Sequence, residues 1–272
     1  TPTTAGVAIG LLASGQGTGM PVAAGGSQSI VDALASIATA YGARIECDHP
    51  VRDLRRLPAA RVLLLDLTPT AARALLGAAP ARWRYGVAAW KLDLVLSEAM
   101  PWSAEACRMA GTVHLGGSAG ELAAAERTTC RGGLPGRPFV LVTQPSVADP
   151  SRAPDGGQVL SAYRHVPNRC DDAAATAGIE TQLDRFAPGW RELVVERRVT
   201  TPREFATTNA NFVGGDIAGG AMTARQTVAR PRLARDPYRL DDGVWLCSQS
   251  TPPGPGVHGM CGWHAAGSVL DT

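Results

Sequence analysis

Residues 244–266 read VWLCSQSTPPGPGVHGMCGWHAA, and this stretch decides the fold that we predict for the chain. Four apolar residues typical of a buried strand lead into a run of prolines and glycines, and small helix-compatible residues follow. A strand, a glycine-rich loop and a helix in this order bring the N–H groups of the helix N-terminus to an anion or a polarised oxygen. Prolines stiffen the loop, and glycines leave room for a flat ligand against the backbone. The stretch therefore predicts either a ligand-facing loop or a sharp turn that caps the last helix.

The loop raises a second alternative, a metal site. We expect its free N–H groups at residues 257–260, and His258, Cys261 and His264 follow one another at intervals of three residues. His258 and His264 are separated by roughly 9 Å of helix rise at about 1.5 Å per residue. One zinc ion with bonds of ~2 Å cannot reach all three side chains on a regular helix. We therefore predict no metal site.

Composition and charge exclude several classes of protein. The 272 residues are 45% hydrophobic and 18% charged, as in an ordinary soluble globular protein. A formal net charge of +2 gives no electrostatic case for nucleic acid as a partner. No apolar run reaches the roughly 18 residues that a membrane span needs. Six cysteines without a CxxC pair predict reduced thiols. We expect a cytoplasmic protein that can associate peripherally with a membrane.

Hydrophobic periodicity predicts alternating helices and strands, that is, an α/β protein. Ser27 or Ser29 is expected to cap the first helix, and Gly42 to end it in a left-handed conformation. The predicted helices lie at 27–41, 69–77, 118–130, 173–186 and 257–270. The predicted strands lie at 43–48, 61–67, 85–96, 111–115, 138–144, 159–166, 193–199 and 243–250. The chain is expected to leave one α/β layer near residue 80 and to return to it near residue 241.

Read with its neighbours, residues 244–266 resemble the C-terminal flavin motif of the phytoene desaturase-like FAD-dependent oxidoreductases. That family includes carotenoid desaturases and isomerases, and many of its members are bacterial. The segment PVAAGGSQSIVDALASIATAYGARIECDHPVRDL at 21–54 resembles a second signature of the family. In that signature a Gly-Gly pair and a helix precede the strand whose following segment contacts the adenine side of FAD. RVLLLDLTP at 61–69 and NFVGGDIAGG at 211–220 resemble the segments expected next. The resemblance runs in order along essentially the whole chain.

The resemblance implies an α/β fold in which a glutathione-reductase-like FAD-binding layer carries an inserted α+β substrate domain. The fingerprint G-x-G-x-x-G, with its first βαβ unit, is absent from the chain, because GQGTG at 15–19 has the wrong spacing. We therefore expect the C-terminal portion of such an enzyme, with an N-terminal FAD-binding half missing or supplied by another polypeptide. The implied divisions are a loop at the edge of the substrate domain (1–26), the middle part of the FAD-binding domain (27–79), the inserted substrate domain (80–240) and the C-terminal part of the FAD-binding domain (241–272).

Site residues follow from the same resemblance. Asp216 and His258 are the catalytic candidates, and Asp216 has the structural alternative of capping a turn. His114 and His165 lie on predicted strands, where we expect half-buried structural side chains. The residues implied to contact FAD are Val51 on the adenine side, Pro69, Ser248, Gly254, Gly256, Val257, His258, Gly259 and Met260.

The implied function is transfer of hydride or electrons between an apolar substrate, isoprenoid or polyene in kind, and flavin N5. A helix N-terminus at the pyrimidine end stabilises the negative charge that develops at N1 and C2=O, by ~0.3–1 kcal/mol when exposed and up to ~2 kcal/mol when partly buried. The alternative is a non-catalytic subunit or pseudo-oxidoreductase that binds a lipid-like ligand or a partner protein.

Overall fold

Residues 21–79, 81–154 and 156–272 are described by a computed structural model. The GQGTG segment of the sequence analysis lies outside these ranges. The strands are β1 (Leu63–Leu65), β2 (Ala88–Leu96), β3 (Thr112–Leu115), β4 (Val140–Thr143), β5 (Gln158–Val166), β6 (Val194–Thr200), β7 (Arg239–Asp241) and β8 (Val244–Leu246). The helices are α1 (Gln28–Ala40), α2 (Pro69–Leu75), α3 (Ala119–Cys130), α4 (Pro145–Ala148), α5 (Ala174–Phe186), α6 (Pro202–Thr208), α7 (Ala224–Val228) and α8 (Met260–Leu270). Short 3₁₀ turns lie at Leu54–Arg56, Glu105–Met109, Pro150–Arg152, Trp190–Leu193 and Val213–Gly215.

The larger sheet is antiparallel, with the strand order β3-β4-β5-β2-β6. Strand β2, which lies between β5 and β6, alternates along its length: Leu92, Leu94 and Leu96 are buried, while Lys91 and Asp93 are half-buried on the other face. This alternation places one apolar face of the sheet against helix α5. The main hydrophobic core of the molecule lies there.

The smaller sheet has the order β1-β8-β7, with β1 and β8 parallel and β7 antiparallel to β8. Leu63 pairs with Val244 and Leu65 with Leu246, although about 180 residues of chain separate them. A second, smaller core forms around Leu65, Ala72 and Leu246. The mixed α/β class is therefore confirmed, and the chain returns to the layer of β1 when it forms β7 and β8.

Helix α1 begins and ends close to the predicted residues. Gly42 has φ +88°, so the predicted left-handed termination is confirmed. The predicted serine cap is wrong, because the Ser27 side chain makes no cap hydrogen bond and Ser29 Oγ donates to the carbonyl oxygen of Gly26 at 2.7 Å. No residue of α1 is buried, so its apolar face is open to solvent.

The strand predicted at 43–48 is wrong. These residues form no strand and are exposed. A strand is stable only when a neighbour pairs with its N–H and C=O groups, and no described strand lies beside this segment. The strand predicted at 61–67 is reduced to the three residues of β1, because only those pair with β8.

Candidate functional site

A cleft of about 460 Å³ opens where β1 and β8 end. The two strands are parallel, so Asp66 and Cys247, which follow them, emerge at the same edge of the small sheet. Crevices at the carboxyl ends of parallel strands are the usual ligand sites of open α/β sheets. The cleft is lined by Asp66, Thr68, Asn209, Asn211, Phe212, Cys247, Ser248, Gln249, Ser250, Gly256, His258, Gly259, Cys261 and Gly262.

Side-chain hydrogen bonds fix the two strand ends to each other. Ser248 Oγ donates to the carbonyl oxygen of Leu67 at 2.6 Å, which joins the segment after β8 to the segment after β1. Asn211 spans that segment from the other side, because its Nδ2 donates to Asp66 O at 2.8 Å and its Oδ1 accepts from Thr68 N at 3.0 Å. One wall of the cleft is therefore held by polar contacts rather than by apolar packing.

The glycine-proline loop is held in shape by His258. Its Nδ1 accepts the N–H of Met260 at 3.0 Å, and its Nε2 lies 3.2 Å from the carbonyl oxygen of Gly254. Since Nδ1 accepts, the tautomer that satisfies both contacts carries its proton on Nε2 and donates it to Gly254. The buried thiol of Cys261 also donates to Gly254 O, at 3.4 Å. The backbone amides of residues 257–259 have no acceptor within the described part of the chain.

The structure brings four of the predicted cofactor residues together. Ser248, Gly256, His258 and Gly259 all line the cleft. Val257 is fully exposed at the outside of the loop. The prediction that the N–H of Met260 is free is wrong, because His258 occupies it.

Three other predicted residues lie apart from the cleft lining. Val51 lines a separate cavity of about 310 Å³ formed by residues 48–57. Pro69 lines a third cavity, of about 920 Å³. Gly254, at the start of the loop, is packed against Arg230: a Cβ atom added to this glycine would come within 2.7 Å of a guanidinium nitrogen of that arginine. The cofactor role of these three residues stays a prediction.

Asp216 is also outside the cleft lining. It is buried, and its two carboxylate oxygens accept the N–H groups of Gly86 at 2.6 Å and Ala218 at 2.8 Å. These contacts cap a turn and fasten it to the segment before β2, as expected if Asp216 has a structural role. A catalytic role for Asp216 stays a prediction.

Sequence reasoning missed Asp66, Thr68 and Cys247 as residues of the cleft. Burial raises the pKa of the Cys247 thiol to about 11, and the carboxylate of Asp66 acts in the same direction. The thiol is therefore protonated and neutral at physiological pH. The signal that could have found these residues is their position directly after two buried strands, but only the parallel pairing shows that both strands end at one edge.

Metal centres and membrane-spanning helices are two other features, and neither is present in the described ranges. No group of three or more histidine, cysteine, aspartate or glutamate side chains is arranged there to hold a metal ion. Among the described helices, none is both long and apolar enough to cross a bilayer.

The chain is similar to known proteins along most of its length. It is 31% identical over 153 residues to the mouse pyridine nucleotide-disulfide oxidoreductase domain-containing protein 2, and it is 25% identical over 277 aligned positions to the neurosporene-forming phytoene desaturase of Rhodobacter capsulatus. These alignments cover 52% and 90% of this chain. The chain is similar to known oxidoreductases. No protein-family model matches it.

The fold has a solved counterpart. The crystal structure of an oxidoreductase from Methanosarcina mazei superimposes on 92% of this chain with a TM-score of 0.58, at 16% sequence identity. That likeness concerns the fold alone. The chain aligns with only part of each relative: 26% of the mouse protein, 52% of the phytoene desaturase and 55% of the solved structure. Together these similarities support a relationship to FAD-type oxidoreductases.

Proposed function

We propose that the chain is part of an FAD-dependent oxidoreductase and that the cleft at the ends of β1 and β8 receives the pyrimidine end of the flavin. The observation that carries the proposal is the loop at 254–259. Its amides at residues 257–259 have no acceptor among the described residues, and they adjoin a cleft lined by Gly256, His258 and Gly259. Such amides are suited to an oxygen atom that carries partial negative charge.

The residues present fit a flat ring. A Cβ atom added at Gly259 or Gly262 would meet no atom within 4 Å, so the backbone of α8 is bare where it borders the cleft. The volume of about 460 Å³ lies within the range of roughly 300–1,000 Å³ found for small-molecule sites. The side chains of Ser248, Gln249 and Asn209 supply polar groups that fix the orientation of a ligand.

When bound, FAD supplies a hydride acceptor at N5. The role of this chain is to hold and orient the flavin. The loop amides would bind the pyrimidine oxygen, and His258 keeps the loop in the conformation that presents these amides. Of the two catalytic candidates, His258 borders the cleft, while Asp216 is bonded to backbone amides outside its lining. His258 is therefore the better placed of the two, and since both of its ring nitrogens contact loop backbone, its part in this proposal is to hold the loop.

An apolar substrate, isoprenoid or polyene in kind, is part of the proposal. The name of the Rhodobacter capsulatus relative, a neurosporene-forming phytoene desaturase, supports it. In this scheme residues 80–240 form the substrate domain, and residues 27–79 and 241–272 belong to the FAD-binding domain. A cytoplasmic location with peripheral attachment to a membrane remains part of the same proposal.

The second candidate is a subunit that works with a separate FAD-binding polypeptide, and an exposed surface of the chain bears on it. Helix α1 exposes Ile30, Leu34, Ile37 and Tyr41 along one face, with Tyr41 90% exposed. A contiguous apolar stripe of this kind typically packs against another element. We propose that an FAD-binding element outside the described residues covers the stripe. That element is a separate partner if the second candidate is right and part of the same gene product if the first is right.

Two glycines of α8 provide the test. Gly262→Leu places a side chain in the open space of the cleft, whereas Gly267→Leu makes the same change on α8 away from the cleft lining. Leucine favours a helix more than glycine does, so both variants should fold. FAD binding by the full gene product that contains this chain is measured by quenching of flavin fluorescence.

The proposal predicts that Gly262→Leu weakens FAD binding at least about ten-fold, or about 1.4 kcal/mol, and that Gly267→Leu leaves it unchanged. If the unmodified full gene product binds no FAD alone, adding a separately expressed polypeptide that carries a G-x-G-x-x-G unit tests the second candidate. Equal binding by both variants would remove the cleft from consideration as the flavin site.

A further inference from the structure

A further cavity of the molecule carries a concentrated positive charge. It has a volume of about 920 Å³ and lies between helix α2, the segment before β2 and the segment that includes α7. Five of its fourteen lining residues are arginines, and none is an aspartate or a glutamate. We call this cavity the arginine cleft. Its lining consists of Pro69, Arg73, Ala81, Arg82, Trp83, Arg84, Thr223, Arg225, Gln226, Ala229, Pro231, Arg232, Leu233 and Leu240.

The five charges are not neutralised by carboxylates. None of the ion pairs in the described ranges includes an arginine of the cleft. Arg73 and Arg232 donate to backbone carbonyl oxygens, those of Ala79 and Arg239. The side chains of Arg82, Arg84 and Arg225 are exposed and make no hydrogen bond to any described residue. Three guanidinium groups are therefore free to bind a ligand.

The walls that carry these arginines are fixed to each other. The buried side chain of Gln226 accepts the N–H of Arg84 at 2.9 Å and donates to the carbonyl oxygen of Arg84 at 3.0 Å. The same amide also donates to Ala221 O at 3.2 Å. Arg84 and Arg225 belong to the two segments that Gln226 joins, so the positions of their backbones are set before any ligand arrives. Preorganised charges bind an anion at a lower entropic cost than mobile ones.

A sixth arginine lies directly behind the cleft. Arg230, between the lining residues Ala229 and Pro231, is only 2% exposed, and its Nε and Nη2 have no hydrogen-bond partner in the described part of the chain. Its guanidinium lies 5.6 Å from the ring centre of Trp83, another lining residue. Burial lowers the pKa of Arg230, because the charged form is desolvated. The carboxylate of Asp216 partly offsets this effect. A further anion would reduce the cost of leaving Nε and Nη2 buried without partners.

We propose that the arginine cleft binds the diphosphate group of a ligand of nucleotide size. Guanidinium groups match phosphate oxygens in geometry and form paired, charge-assisted hydrogen bonds with them. The apolar part of the lining, which includes Pro69, Trp83 and Leu240, suits the uncharged remainder of such a ligand. The cleft and the proposed flavin site share no lining residue, although Thr68 of one and Pro69 of the other are neighbours in the chain. The inference therefore does not depend on the function proposed above.

Two sources can supply this chemistry. The diphosphate belongs either to a flavin dinucleotide whose ring lies in the neighbouring cleft or to a separate phosphorylated ligand. The probes are inorganic pyrophosphate, ATP and FAD, and binding to the full gene product is measured by isothermal titration calorimetry at low and high salt. Screening predicts weaker binding of each probe at high salt. Competition between pyrophosphate and FAD indicates the first source, and simultaneous binding of the two indicates the second.

The decisive variant is the double substitution Arg84→Gln and Arg225→Gln. Both side chains are exposed, so the change should not affect folding. The matched control is Arg108→Gln with Arg203→Gln, which removes the same charge from two exposed arginines outside the cleft lining. We expect the cleft variant to weaken pyrophosphate binding at least about ten-fold, or about 1.4 kcal/mol, and the control to leave it within about two-fold, since distant surface charges are screened.

Three results would overturn the inference. The first is that the unmodified protein binds neither pyrophosphate nor ATP. The second is that pyrophosphate binding is weakened equally in the cleft variant and in the control. The third is that the protein binds anionic phospholipid vesicles but neither soluble probe. Loss of FAD binding in Gly262→Leu with intact pyrophosphate binding separates the two sites. Conversely, a protein that binds pyrophosphate through the cleft but never binds FAD would contradict the proposed function and leave this inference standing.

Discussion

Asn211 Oδ1 accepts the backbone N–H of Thr68 at 3.0 Å, although 143 residues of sequence separate the two. Thr68 is buried, and Nδ2 of the same asparagine donates to Asp66 O. One side chain thus satisfies a donor and an acceptor in the segment that leaves β1. This contact, together with that of Ser248 Oγ to Leu67 O, fixes the segment after β1 that borders the candidate site.

Asn211→Ala is expected to lower the free energy of unfolding by about 1–3 kcal/mol, because the N–H of Thr68 is left buried without a partner. Urea denaturation measures the change. The control is Thr207→Ala, which removes a hydroxyl hydrogen bond at the exposed surface of α6 and should cost no more than about 0.5 kcal/mol. A loss no larger than that of the control would show that water replaces the asparagine.

His258→Ala is expected to loosen the glycine-proline loop without unfolding the large sheet. The substitution removes the acceptor for Met260 N–H and the ring that contacts Gly254 O, so the amide of Met260 should exchange with solvent faster. Hydrogen exchange measures this, and ¹⁵N NMR of the unmodified protein should show the tautomer with its proton on Nε2. The control is His264→Ala, which removes an exposed histidine of helix α8. Unchanged exchange at Met260 would contradict the structural role of His258.

Leu160→Ala is expected to destabilise the protein by about 2–5 kcal/mol, because Leu160 is fully buried in the centre of the large sheet and its truncation leaves a cavity. Val195→Ala, on the edge strand β6 with 68% of the side chain exposed, should change stability by less than about 0.5 kcal/mol. Thermal or urea denaturation distinguishes them. Similar losses in the two variants would place the main core elsewhere.

Cys247 is expected to make stability depend on pH in the alkaline range. Burial raises its pKa from an ordinary value of 9.0 to about 11 in the folded protein. Between about pH 9 and 11 the unfolded chain therefore loses this proton while the folded protein keeps it, and the free energy of unfolding falls as pH rises. Below about pH 9 both states hold the proton and the effect vanishes.

Unfolding measured from pH 8 to 11 in the unmodified protein and in Cys247→Ala isolates this contribution, because every other group titrates in both. The unmodified protein should lose stability more steeply over that window. Alkylation followed by peptide mapping provides an independent check: the exposed thiol of Cys47 should react before the partly buried thiol of Cys247. Parallel pH curves for the two proteins would contradict the raised pKa.

Much of the fold could be predicted because its signals are local. The alternation along β2, the helix of residues 28–40 with Gly42 behind it, and the strand, loop and helix of residues 244–270 all follow from side-chain periodicity and glycine conformation. The strand predicted at 43–48 failed because a strand depends on its neighbour, which its own residues cannot specify.

The residues of the candidate site also fall into a group that local sequence predicts and a group that it does not. Ser248, Gly256, His258 and Gly259 were predicted from one continuous motif. Asp66, Thr68 and Cys247 were missed, because their approach requires the parallel pairing of β1 with β8.

The sequence by itself determined the local conformations: buried strands, a stiff loop with bare backbone, and a final helix. Only the tertiary structure decided which distant side chains meet, as when Asn211 reaches Thr68 and when Arg84 and Arg225 come to line one cleft. The physical reason is that periodicity and turn chemistry act over a few residues, whereas contacts across a hundred or more residues depend on how the sheets pair and how their buried faces pack.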